Sequence, residues 1–136
     1  MISFNYETDF KLERTEQFSE WISTTIIEEN CKEGEINYIF CNDDDLLKLN
    51  MDFLKHETLT DIISFDYSVG KELHGDIYIS VERVKENATK FKVDFVDEMS
   101  RVMIHGILHY CGYKDKSDAD AKVMRNKEDY YLAKHS

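Results

Sequence analysis

Apolar residues along this chain recur with two different periods, and the switches between them mark out strands and helices. Residues 2–6 alternate as a short strand does. From about Leu12 to Asn30, Phe18, Trp21, Ile22, Thr25 and Ile26 return at helical spacing and form one apolar stripe. Gly34 punctuates, and residues 35–41 read as a second strand. Asn42, Asp43, Asp44 and Asp45 offer cap acceptors to a helix carrying Leu46, Leu47, Leu49 and Phe53. Two further strands, residues 61–67 and 75–80, flank a turn around Gly70. Ser80 is placed to cap a helix running to about Phe91, and Asp94 to cap the next, which runs to Gly112. A Ser117-to-Asp120 box opens a last helix ending near Ala133.

That order, β-α-β-α-β-β-α-α-α, predicts an α+β fold: a mixed sheet of about four strands covered by helices. The third and fourth strands should be antiparallel neighbours. No repeat, low-complexity run or linker interrupts the chain, so residues 1–136 are expected to form a single domain. With no proline, the helices must stop by other means.

Composition narrows the class. An apolar fraction of 42% argues against disorder, and no run nears the roughly 20 apolar residues that span a bilayer. The opening residues lack the basic flank and apolar core of a signal peptide. Cys31, Cys41 and Cys111 are odd in number and widely spaced, as reduced thiols are. A cytoplasmic protein without a membrane partner is the expectation. The net charge of −11 opposes nucleic-acid binding unless cations gather on one face or a basic partner delivers the strand.

The chemistry lies between Met103 and Asp115. On a helix, His105 and His109 leave the same face one turn apart, close enough for two ring nitrogens to meet one ion. Gly112 stands where that helix should end, and a left-handed glycine would turn the chain so that Asp115 supplies a third ligand. Two histidines, a carboxylate and a fourth position open to solvent make a hydrolytic zinc pattern, with one ion per chain at the end of a central helix. A histidine pair alone is a weak signal, since hydrogen-bonded core histidines look the same; the glycine and carboxylate strengthen it. Peptide-cleaving zinc enzymes place Glu directly after the first histidine, whereas this chain has Gly106, which cannot take a proton. Glu98 reads first as a surface charge and second as a residue of the same groove.

These residues resemble the YbeY family of bacterial endoribonucleases, the ribosomal RNA maturation factors. The family signature His-Gly-x-Leu-His-x-x-Gly-Tyr-Asp-His stands here as His105-Gly106-Ile107-Leu108-His109-Tyr110-Cys111-Gly112-Tyr113-Lys114-Asp115, which matches it through Tyr113. Leu49-Asn50, the run Leu59-Thr60-Asp61-Ile62-Ile63-Ser64-Phe65, and Gly75-Asp76-Ile77 resemble further family segments, so the likeness covers about residues 35 to 130. The chain departs from the family at Asp115, usually histidine, and at Leu54, usually an arginine able to meet phosphate. A carboxylate oxygen also binds zinc. The arginine's contact would pass to a neighbour such as Lys55 or His56.

The resemblance implies single-strand-specific RNA cleavage, maturation of small-subunit ribosomal RNA and ribosome quality control, with RNA and possible ribosomal proteins as partners. A Lewis-acid metal suits attack on a phosphodiester. Lys55, Arg83, Lys85, Lys90, Lys92, Arg101, Lys114 and Lys116 are the cations available to line a groove. Of these, Lys55, Lys114 and Lys116 are the foremost substrate-contact candidates, and His105, His109 and Asp115 carry the metal and the catalysis. Asp61 and Asp76 are candidates to orient a ligand histidine or to cap turns. Cys111 reads as core, His56 and His74 as surface residues, and Tyr110 and Tyr113 as packing residues before base-stacking ones. Two rival readings stand beside the nuclease: a metal hydrolase of another substrate class, and a non-enzymatic ribosome-associated factor with a structural metal.

Overall fold

A computed structural model describes residues 1–54 and 60–135. Strands β1 (Ile2–Tyr6), β2 (Lys32–Cys41), β3 (Ile62–Asp66) and β4 (Glu72–Ser80) form one sheet in the order β1-β2-β4-β3. β1 and β4 flank β2 in parallel, and β3 runs antiparallel to β4 at the edge, so the sheet is mixed as the pattern predicts. Helices α1 (Thr15–Glu28), α2 (Asp43–Leu49), α3 (Val81–Phe91), α4 (Phe95–Tyr110) and α5 (Asp118–Leu132) complete the α+β fold. A π-helical turn, Asn50–Leu54, follows α2. No helix among the described residues is long and apolar enough to cross a membrane.

Local chemistry explains most of the boundaries. Asn42 and Asp45 form a reciprocal capping box at α2, each side chain accepting the other's backbone N–H. The Ser80 hydroxyl accepts from Arg83 at α3, and that of Ser117 accepts from Asp120 at α5. Asp94 departs from expectation, because its side chain makes no cap bond and only its backbone carbonyl receives Glu98 N–H. α1 begins at Thr15, later than the apolar stripe suggests, because Arg14 adopts a left-handed conformation. β2 and β4 each start earlier than read, since Lys32 pairs with Glu72 and Glu33 with Leu73 beyond the alternating stretch.

The main core lies on one sheet face. There Ile36, Tyr38 and Phe40 of β2 and Leu73, Ile77 and Ile79 of β4 meet the stripe of α1 and the apolar side of α4. A smaller cluster of Cys41, Leu46 and Ile63 holds α2 to the other face. Burial of this aliphatic and aromatic surface is the dominant stabilising term, about 25 cal/mol per Å² removed from water. α4 runs through the middle of the packing, with Met99, Met103, Ile104, Ile107 and Leu108 all but fully buried. Its approach to the sheet is close at Gly106, where a Cβ would stand 3.1 Å from the Ile77 tip and 3.2 Å from that of Ile62. A side chain at this position would point at the sheet and press on those two isoleucine tips.

Candidate metal centre and its cleft

α4 has one polar stripe. Glu98, Arg101, His105 and His109 follow one another at helical spacing and face a cleft of about 510 Å³ between α4, α5, the end of α3 and the start of β3. Behind that stripe Met99, Val102, Met103, Ile104, Ile107 and Leu108 are buried in the core, which anchors the cleft floor.

Beyond Tyr110 the chain closes a Schellman turn. Gly112 sits at φ 106, its N–H meets His109 O at 3.0 Å, and Tyr113 N–H meets Leu108 O at 3.1 Å. The turn does two things. It folds Asp115 back over the helix end, and it places the Tyr113 carbonyl where His109 Nδ1 donates to it at 2.9 Å. His105 Nδ1 engages Glu128 Oε2 at 2.6 Å. With both Nδ1 atoms used outward, both Nε2 atoms face inward, and each lies 3.3 Å from Asp115 Oδ2. The two rings stand 4.5 Å apart, nearly perpendicular.

This donor set fits a cation. One ligand atom from each of His105, His109 and Asp115 lies within 4.8 Å of the other two. Tetrahedral bonds of about 2.0–2.1 Å separate ligand atoms by roughly 3.3–3.4 Å, which matches both histidine-to-aspartate distances. Two imidazole lone pairs aimed at one carboxylate oxygen also repel each other unless positive charge lies between them.

Glu128, which sequence reasoning did not single out, is the orienting group. It is 5% exposed and accepts from Arg101 Nη1 at 2.7 Å as well as from His105. Its signal was available: Met124, Glu128 and Tyr131 share the buried face of α5, and a carboxylate on such a face needs a partner. Burial works to lower the His105 pKa, but the Glu128 hydrogen bond and the charges of Glu128, Asp115 and Asp61 outweigh it and raise the value.

Glu98 is 7% exposed, so the surface reading of it is corrected: the inward face of α4 carries it into the cleft. Burial, reinforced by the charge of Asp61, raises its pKa against the pull of Arg101 and Arg125. Asp61 also lines the cleft, and burial raises its pKa too, but Glu128 takes the orienting bond to His105. Asp76 stays on the sheet, where it accepts from Asn37 at 3.0 Å.

The remaining candidates separate cleanly. Lys114 and Lys116 are exposed beside Asp115 and do not line the cleft, whereas Arg101 and Arg125 do. Arg83 is bound by Asp43 and Glu86. Lys55 and His56 lie outside the described residues. Tyr110 donates to Phe65 O at 2.9 Å and Tyr113 to Glu29 at 2.7 Å, so both are packing residues. Cys111 packs against the core beside Cys31, and burial raises its thiol pKa. His74 is partly exposed and accepts from Glu35 N–H at 3.0 Å.

A buried helix that delivers two inward-facing imidazoles to a returning carboxylate, at the floor of a polar cleft, defines an α+β protein with a candidate metal centre. Residues 2–136 match the protein family described as Endoribonuclease YbeY. The chain is 64% identical over 132 residues to the Endoribonuclease YbeY of Flavobacterium psychrophilum, covering 97% of this chain and 94% of that one. It is 61% identical to its counterpart in Flavobacterium johnsoniae, covering 98% and 96%. The fold is similar to the solution structure of a Thermotoga maritima protein, with a TM-score of 0.68 at 27% identity over 97% of this chain and 87% of that one. This chain belongs to the YbeY family. The match extends the likeness read from motifs to nearly the whole chain.

Proposed function

We propose that this protein is a single-domain, zinc-dependent endoribonuclease that cuts single-stranded RNA. His105, His109 and Asp115 would hold one ion, and the role would lie in ribosomal RNA maturation and ribosome quality control in the cytoplasm. The relatives' name supports the RNA-cleaving activity. The observation that carries the metal reading is the pair of Nε2 atoms, each 3.3 Å from Asp115 Oδ2, with both Nδ1 atoms already engaged.

A bound divalent cation would supply Lewis acidity where phosphoryl oxygens gain charge. Everything else falls to the chain. Glu128 holds His105 in the tautomer whose Nε2 accepts, and the Tyr113 carbonyl does the same for His109. Asp61 and Glu98 keep a proton to higher pH than exposed carboxyls do, which suits them to exchange protons with attacking or leaving oxygens. The site's own carboxylates are partly offset, since Arg101 binds Glu128 and Asp129. Lys114 and Lys116 flank Asp115 on the outer surface and would meet the strand as it leaves; Lys55 is proposed from sequence alone.

The test is cleavage of single-stranded against duplex RNA by purified protein, with and without chelator, beside a His109→Ala variant. Single-strand cutting that chelator and the variant both abolish, with the variant's circular dichroism unchanged, is the expected result. A wild type that never cuts, paired with a variant that unfolds, would replace the enzyme reading with a structural metal. Elemental analysis identifies the ion.

A further inference from the structure

The cleft does not end at the histidines. A second cavity of about 290 Å³ adjoins it, and Phe91, Glu98, Arg101 and Arg125 line both. Phe91 and Arg125 thus border the cleft of the candidate metal ligands, and the neighbouring cavity on their other side reaches Val93, just beyond α3.

Two residues along that path are unspent. Phe91 is the last residue of α3 and 56% exposed, although aromatic rings elsewhere in the chain are mostly packed. Its backbone is held firmly, because Lys92 turns left-handed and the N–H groups of Lys92 and Val93 bond back to Thr89 and Ala88. Lys90 Nζ lies 5.8 Å from the ring centroid. Arg125 is the second. Arg101 is committed to Glu128 and Asp129, but Arg125 forms no hydrogen bond or ion pair among the described residues, and its charge reaches Glu98 within the groove. A free guanidinium and an open aromatic face are what successive units of a single strand need, one for phosphate and one for a base.

We infer that Phe91 and Arg125 form a nucleotide subsite for single-stranded RNA beside the candidate metal centre, Phe91 stacking on a base and Arg125 binding the adjacent phosphate. The subsite rests on the nuclease reading and deepens it: the strand runs along the α3–α5 side of the cleft. In so acidic a chain, Arg125 also offsets the repulsion of Glu98 and Asp61 toward phosphate.

The test uses a 2′-O-methyl RNA hexanucleotide carrying 2-aminopurine, titrated against the full-length protein over a range of salt. Phe91→Ala should weaken binding at least about 5-fold and remove the stacking change in fluorescence, while Phe91→Tyr retains both. Arg125→Ala should reduce the slope of log affinity against log salt by about 0.7, the contribution of one single-strand phosphate contact. Arg125→Lys should restore that slope, and Lys122→Ala, on the same helix outside the groove, should leave it alone. Wild-type binding by both alanine variants, an equal loss from Lys122→Ala, or no binding by the wild type overturns the subsite. Cleavage assays on the same proteins separate the two claims. If the wild type cuts RNA and both variants bind and cut as it does, the subsite falls and the nuclease stands. If the oligonucleotide binds through these two residues but no RNA is cut, the nuclease falls and the subsite stands.

Discussion

At the scale of single residues, the candidate centre depends on hydrogen bonds that point away from it. An imidazole offers a ligand nitrogen inward only when its other nitrogen carries the proton outward, and Glu128 enforces this for His105. Glu128→Gln keeps the shape but removes the charge, so metal affinity should fall about 10- to 100-fold, as for other partners of ligand histidines. Competition with a chromophoric chelator measures it; unchanged affinity would mean that Glu128 serves only Arg101. The sequence exposed His105, His109 and Asp115 because helical spacing relates the first two and a glycine stop relates the third. It did not expose Glu128, since no local spacing connects α5 to α4.

Elements add constraints that single side chains lack. The Schellman turn after α4 ends a helix in a chain without proline, aims Asp115 and supplies the carbonyl that orients His109. Gly112→Ala forces an L side chain to φ 106, a left-handed conformation that costs roughly 1–2 kcal/mol. Urea unfolding should register that loss, and chelator competition should register weaker metal binding in the same variant. Loss of stability with unchanged metal affinity would show that the turn does not position Asp115. Cap signals were mostly legible at this scale, as Asn42, Ser80 and Ser117 demonstrate. Asp94 was not, because a residue type that can cap does so only if the incoming chain points its side chain at the helix end.

Across the whole molecule, Glu29 ties distant segments together. Placed just after α1, it accepts from Tyr113 in the turn after α4 and from Tyr131 and Lys127 on α5. Its burial alone would raise the carboxyl pKa, yet the bonds from Tyr131, Tyr113 and Lys127 prevail and lower it. A lowered folded pKa adds stability that is complete above the unfolded value near 4.5 and is lost as pH falls through the folded value. Glu29→Gln should therefore cost about 1.5–2 kcal/mol at neutral pH, the low end for hydrogen bonds to a charged group that is only partly buried. The gap between variant and wild type should narrow below about pH 4.5 when urea midpoints are compared. A gap that stayed constant with pH would assign the effect to packing.

Order along the chain, helix stops and the face shared by His105 and His109 were determined by sequence alone, because periodicity and capping act within a few residues. Only the tertiary structure decided that Glu98 is buried, that Glu128 meets His105, and that Arg125 and Phe91 border the same groove as the histidines. Those relations join residues of α3, α4 and α5 whose neighbourhood is set by how three helices pack, and side chains brought together by packing leave no spacing to read.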